Sequence, residues 1–170
     1  MGRLMGRSSR KLADPDLGLL AAQLLLGIQR ELSRRTAEAG FDDLRPRHGA
    51  VLAYLDEHGI RLSELAWISG RNKQTVAAIV DELESLGYLS RVEDAADGRA
   101  KLIVPTERGL QRMRLGDEIV AEIERRHEAK LGQAAYAKLI RALRTITAEQ
   151  AVADESDGVE ATPQPRQLTR

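Results

Sequence analysis

The chain has 170 residues, 42% hydrophobic and 31% charged, with 26 Lys and Arg balanced by 26 Asp and Glu. That describes one soluble domain with room for an appended helical arm, and zero net charge excludes a protein that holds nucleic acid by bulk positive charge. The absence of cysteine excludes disulfides, thiolate metal sites, a cysteine nucleophile and thiol-based redox sensing, and fits a cytoplasmic location. Aromatic residues make up only 3%, so the core must be built from Leu, Ile, Val and Ala, a mixture suited to helices packed on helices.

Residues 1–13 form a basic arm with Arg3, Arg7, Arg10 and Lys11 and are expected to be disordered. The apolar run from Leu17 to Ile28 is too short to span a bilayer, and no small-residue cleavage pattern follows it, so neither a signal peptide nor a membrane partner is expected. Asp14 followed by Pro15 predicts a helix start, and the helix reaches Gly40 with apolar residues around most of its girth. A helix of that kind needs partners on more than one side, so 14–40 is read as a dimerisation helix.

Pro46 opens a second helix carrying Val51, Leu52 and Leu55 and ending at His58-Gly59. A short extended piece, Ile60 to Leu62, precedes a brief helix capped by Ser63 and stopped by Gly70. Asn72 caps a longer helix running to about Leu86, closed by Gly87. Tyr88 to Glu93 and Arg99 to Val104 then read as strands joined by a turn through Asp97-Gly98. Thr106 caps a long helix that breaks at Gly132, and a last helix runs to about Glu149. The fold class is thus mostly α with a small β-hairpin wing. A winged helix–turn–helix at 41–105 is flanked by dimerisation helices at 14–40 and 106–149, with a disordered tail at 150–170.

On the helix from Asn72, Val76, Ile79, Val80 and Leu83 share the face that should be buried. Gln74, Ala77 and Ala78 lie opposite, with Arg71, Asn72, Lys73 and Thr75 around the N-terminus. The second helix of a helix–turn–helix enters the major groove by its N-terminal part, where Gln can bond adenine and Ala can meet a thymine methyl. Taken alone, such a face is equally that of a solvated helix; the hairpin that follows shifts the balance toward DNA. On that hairpin Arg91, Arg99 and Lys101 alternate toward one side, and Asp97 stands where it can orient Arg99 for a narrow minor groove.

Arg61-Leu62-Ser63-Glu64-Leu65-Ala66, Lys73-Gln74-Thr75-Val76, and Val80-Asp81-Glu82-Leu83-Glu84 ahead of Gly87-Tyr88-Leu89 together resemble the MarR family. So does Asp97-Gly98-Arg99 ahead of Pro105-Thr106-Glu107-Arg108-Gly109. The resemblance spans about residues 14 to 147. It implies a homodimeric, sequence-specific double-stranded-DNA-binding transcription regulator on a near-palindromic operator, usually a repressor relieved by a small-molecule effector. It also implies an effector cleft between the dimer helices and the winged lobe, where Arg47, His48, Tyr54 and Met113 would gather. Two positions depart from the family pattern: Ala77-Ala78 replaces a common polar or basic pair, and Arg45 replaces Ser or Thr before Pro46. The latter borders the expected cleft and makes an anionic effector conceivable.

No enzyme is expected. Glu124 and His127 have Glu-x-x-His spacing, but the further carboxylates and second such pair of a di-iron site are missing. Asp94 and Asp97-Gly98 lack the rest of a calcium loop. Ser63, Ser69 and Ser90 have no adjacent histidine, and His48, His58 and His127 are too scattered for a triad or zinc site. No metal site and no cofactor are expected. The alternative from another class is a winged-helix module that binds protein instead of DNA, since the fold alone does not decide function.

Overall fold

A computed structural model describes residues 11–94 and 97–156, with side chains described except at 97, 99 and 151–156. In chain order the elements are α1 (Leu17–Glu38), α2 (Pro46–Leu52), β1 (Ile60–Arg61), α3 (Leu62–Ile68), α4 (Lys73–Ser85), β2 (Leu89–Asp94), β3 (Asp97–Pro105), α5 (Glu107–Leu131) and α6 (Gln133–Ser156). The strands form one antiparallel sheet in the order β1-β3-β2. The predicted fold class is the observed one, a mainly helical chain with a winged helix–turn–helix at its centre.

Several boundaries differ from the sequence expectation; β3 begins at Asp97, so Asp97-Gly98, expected in the turn, belong to the strand. The cap of α1 is Asp16, two residues after Asp14; its carboxylate accepts the Leu19 N–H at 2.9 Å and meets the Lys11 ammonium at 2.6 Å. Residues 11–13 are already helical, so Asp14-Pro15 forms the break between two helical stretches and the cap falls after the proline. Helix α2 ends at Leu52, although Leu55 stays buried on the turns that follow. Helix α3 starts at Leu62, directly after Arg61 pairs with β3, which leaves Ser63 inside the helix instead of capping it. Finally, α6 continues past Glu149 to Ser156, which moves the end of helical order beyond residue 150.

The core of the winged lobe collects Val51 and Leu52 from α2, Leu65 and Ala66 from α3, and Val76, Ile79, Val80 and Leu83 from α4. Tyr88, Leu89 and Ile103 close it from the sheet side. Tyr88 is fully buried, and its hydroxyl donates to Asp43 Oδ1 at 2.6 Å. Burial, and then that neighbouring carboxylate, push the phenol far above its usual range. The Arg108 guanidinium lies 4.3 Å from the Tyr88 ring centroid and joins α5 to this corner. Gly109 makes the junction possible, because a Cβ there would stand 2.1 Å from the Tyr88 carbonyl oxygen.

Helix α1 lies along α5. Arg126 makes a two-pronged contact to Glu31 at 2.8 and 2.6 Å, and Arg35 reaches Glu122 at 2.7 Å. Those contacts engage only the C-terminal half of α1. In its N-terminal half Leu17, Leu20, Leu24, Leu25 and Leu26 are all exposed, as are Leu139 and Ile146 of α6. Among the described residues, no helix is long and apolar enough to cross a membrane.

Candidate nucleic-acid interface

The exposed edge of the lobe is made by the start of α4 and by the wing, β2 and β3. Asn72 caps α4 as its sequence predicts, accepting the Thr75 N–H at 2.8 Å. This fixes the first turn and leaves the other N-terminal N–H groups facing outward with the positive end of the helix dipole. Arg71, Asn72, Lys73, Gln74, Thr75 and Ala78 are exposed around this turn, and Ala77 is half-buried. Val76, Ile79, Val80 and Leu83 hold the opposite face in the core, as the helical spacing requires.

Between the α4 N-terminus and the root of the wing runs a groove of about 310 Å³. Arg61, Ser63, Lys73, Arg91 and Lys101 line it, so β1, α3, α4, β2 and β3 each contribute a polar or basic side chain. Among the described residues neither Lys73 nor Lys101 pairs with a carboxylate. Arg61 is held against Asp94, with Nε at 2.9 Å and Nη2 at 2.5 Å from Oδ2. Arg61 and Ser63 were not singled out from sequence. The signal was available in the pairing of β1 with β3, which sets Arg61 opposite Leu102, next to Lys101.

Arg91 corrects the sequence reading. It was expected to project from the wing beside Arg99 and Lys101, but it folds back on α4, donating to Asp81 Oδ1 at 2.5 Å and to Glu84. Strand alternation sets the side of a residue, whereas the two carboxylates one turn apart on α4 decide where a long guanidinium goes. Arg91 is thereby a strut between wing and helix. The strand pairing places Lys101 opposite Glu93, and Lys101 is exposed. The side chains of Asp97 and Arg99 lie outside the described residues.

The four residues expected at an effector cleft do not gather in one place. Arg47 and His48 both bind Glu82 of α4: Arg47 Nε and Nη2 lie 2.9 and 2.8 Å from its carboxylate oxygens, and His48 Nε2 lies at 2.7 Å. His48 is buried, and its Nδ1 accepts the Arg45 N–H at 3.1 Å, which leaves the ring proton on Nε2 to donate to Glu82. The His48 and Arg47 hydrogen bonds hold the Glu82 carboxyl below the usual glutamate range. Arg45 makes no side-chain cap hydrogen bond at the start of α2; His48, at the third helical position, supplies the reciprocal contact of a capping box by accepting the Arg45 N–H. Tyr54 is exposed, 44% of its surface being open. Met113 lines a separate cavity of about 220 Å³ between α1, α2 and α5, together with Leu32, Leu52 and Arg112. Among the described residues no three His, Asp or Glu side chains converge as a metal site would require.

Residues 42–100, from the loop before α2 to the wing, match the model of the MarR family. No curated relative matches the sequence. Several solved structures share the fold. A MarR-family transcriptional regulator from Rhodococcus sp. RHA1 is 23% identical, covering 77% of this chain and 93% of its own at a TM-score of 0.61. The transcriptional regulator PA3341 is 28% identical, with coverage of 79% and 98% and a TM-score of 0.65. The repressor CouR, bound to a 23-mer DNA duplex, is 25% identical, with coverage of 86% and 99% and a TM-score of 0.64. CouR from Rhodococcus jostii RHA1 is also known bound to p-coumaroyl-CoA, matching at 25% identity, coverage of 82% and 92%, and a TM-score of 0.59. The central lobe of this chain is therefore similar to the winged helix of the MarR family, and the chain as a whole shares the fold of solved transcriptional regulators of that kind.

Proposed function

We propose that the protein is a sequence-specific double-stranded-DNA-binding transcription regulator that acts as a homodimer on a near-palindromic operator, as a repressor released by a small ligand. The observation that carries this reading is the exposed, Asn72-capped first turn of α4 beside a groove lined by Lys73, Lys101, Arg61 and Arg91. Gln74, with Ala77 or Ala78, reads an A·T step in the major groove. Arg71, Lys73 and Thr75 hold phosphates around the helix N-terminus. Lys101 adds a phosphate contact at the wing, and Arg99, with Asp97, is assigned to the minor groove on the strength of the family resemblance. Arg91 acts indirectly, by fixing the wing to α4. CouR, seen both on DNA and with p-coumaroyl-CoA, is the precedent among similar folds for combining DNA binding with an effector.

The homodimer is supported by the leucine-rich half of α1, which one chain leaves exposed, as it does Leu139 and Ile146 of α6. Contiguous apolar surface of this kind marks an interface. Two lobes related by a two-fold axis would present their α4 helices to successive major grooves.

The test is selection from a random duplex library with the full-length protein at near-physiological salt. The expected result is a near-palindrome with half-sites about 10 base pairs apart, centre to centre. Enrichment of no sequence would sink the regulator reading in favour of a winged-helix module that binds protein.

A further inference from the structure

Strand β1 is two residues long, and its two side chains go opposite ways. Ile60 is buried in the core of the lobe, whereas Arg61 shares the outer face of the sheet with Leu102 of β3 and Val92 of β2, the residues in register with it. From there its guanidinium reaches Asp94 at the end of β2, Nε and Nη2 lying 2.9 and 2.5 Å from Oδ2. Because β3 is the middle strand, this ion pair spans it and ties the two edges of the sheet together. Asp94 is only 8% exposed. A carboxylate taken that far out of water is costly unless a cation and hydrogen bonds hold it, so the pair is a fixed contact and not a loose surface one.

Asp94 also marks the place where the hairpin loses its register. Glu93 lies opposite Lys101, but Asp94 lies opposite Asp97, so Gly98, Arg99 and Ala100 of β3 have no counterpart on β2. Nor does β1 reach them, since its last pair is Arg61 with Leu102. Extra residues on one strand bend it and re-aim the side chains it carries. Three residues without cross-strand partners need another restraint to keep one direction, and the Arg61–Asp94 contact stands at the foot of that segment. On the other face, at the root of the wing, Arg91 is held by Asp81 and Glu84 of α4.

We propose that Arg61 is a positioning residue for DNA binding: anchored on Asp94, it sets the direction in which the bulged segment 98–100 and the adjoining Lys101 meet the duplex, and it reads no base itself. The proposal rests on the regulator reading above and adds to it the residue that aims the wing. The two roles open to Arg61 differ in sign at Asp94. If Arg61 held a phosphate, Asp94 would compete with DNA for the guanidinium, and neutralising Asp94 would strengthen binding. If Arg61 aims the tip, neutralising Asp94 releases the tip and weakens binding just as the loss of Arg61 does. Each member then acts only through the other, so the two losses do not add.

The experiment measures operator affinity and base preference of the full-length protein beside Arg61→Gln, Asp94→Asn and the double variant. Each single change should weaken binding about tenfold, and the double change no further. Base preference should relax at the positions flanking each half-site, where the wing meets the minor groove, while the positions under α4 keep theirs. A lobe that was merely destabilised would lose affinity alike at every position. Tighter binding by Asp94→Asn, additive losses, or a loss uniform across positions overturns the proposal. Asp94→Asn, which keeps size and shape, carries the test through its sign if Arg61→Gln does not fold. Amide hydrogen exchange of the DNA-free proteins reads the same tie without an operator. Both single changes should speed exchange at residues 97–101 and leave α4 at the parent's rate; unchanged exchange in the tip overturns the proposal. Faster tip exchange in a protein that selects no operator overturns the regulator reading while leaving the tie between Arg61 and the tip standing.

Discussion

The winged lobe and the outer helices meet the same physical requirement, burial of apolar surface, in different ways. In the lobe, the inward faces of α3, α4 and the sheet find each other within one chain, and Leu65, Val76, Val80 and Leu83 reach zero exposure. In α1, the half next to α5 is fastened by Arg126–Glu31 and Arg35–Glu122, while Leu17, Leu20, Leu24, Leu25 and Leu26 of the other half stay exposed, from 47% at Leu24 to 61% at Leu17. A single chain is thus finished at its centre and unfinished at its flank. The lesson is that stability of the lobe is a property of the chain, whereas in the proposed homodimer stability of the flank would depend on protein concentration.

That contrast can be broken directly. Leu83→Ala, in the middle of the lobe, should cost about 2–5 kcal/mol in denaturant unfolding, because the side chain is fully enclosed and leaves a cavity. Leu24→Glu, on the exposed flank, should leave the lobe folded and shift sedimentation from dimer to monomer. A Leu24→Glu protein that dimerises like the parent would remove this face from the interface.

Within the lobe, Gln74→Ala should lose about 1–3 kcal/mol on the selected operator and relax base preference at one step of each half-site. An unchanged selection logo would reassign Gln74 to solvent.

Smaller effects separate a phosphate contact from a strut. Lys101→Ala should lower the slope of log K against log salt by about 0.9 per lobe. Arg91→Ala should weaken binding through a loosened wing, and Asp81→Asn with Glu84→Gln in the same chain should restore part of the loss, since the neutral pair no longer needs the guanidinium. If the double change gives no recovery and the Arg91→Ala slope falls like that of Lys101→Ala, Arg91 touches phosphate after all.

The smallest expected effect is on the acid limb of stability. Glu82 titrates below its ordinary range in the folded protein because His48 and Arg47 hydrogen-bond its carboxylate. Its contribution is therefore complete above the unfolded value of about 4.3 and is lost as pH falls through the lower folded value. Glu82→Gln should flatten that step in a series of denaturant melts between pH 6 and pH 3, to the order of the single group involved; an acid limb as steep as the parent's would show that the Glu82 contacts do not differ between folded and unfolded chains.

The element order and the exposed face of α4 were legible because they depend on local chemistry. Asn72 and Thr106 cap helices wherever their neighbours lie, and the 3.6-residue spacing buries Val76, Ile79, Val80 and Leu83 together. Where two local signals competed, the reading slipped: Asp14 and Asp16 can both cap, and Ser63 suits an N-cap until β1 pairing claims the residues before it. The destination of long polar side chains was not legible. Arg91 turns to Asp81 and Glu84 across 10 and 7 residues of sequence, and Arg47 and His48 turn to Glu82 across 35 and 34. Arg112, one position before the Met113 singled out for the cleft, gave no sign in the sequence that it would be enclosed without a partner.

The sequence by itself determined the helix and strand order, the caps at Asn72 and Thr106 and the apolar faces, since backbone hydrogen bonding and side-chain periodicity are settled within a few residues. Only the tertiary structure decided which arginines meet carboxylates, which one is left buried beside a cavity, and which basic side chains share a groove. Those outcomes depend on the approach of elements distant in sequence, and long flexible cations take whatever partner that approach supplies.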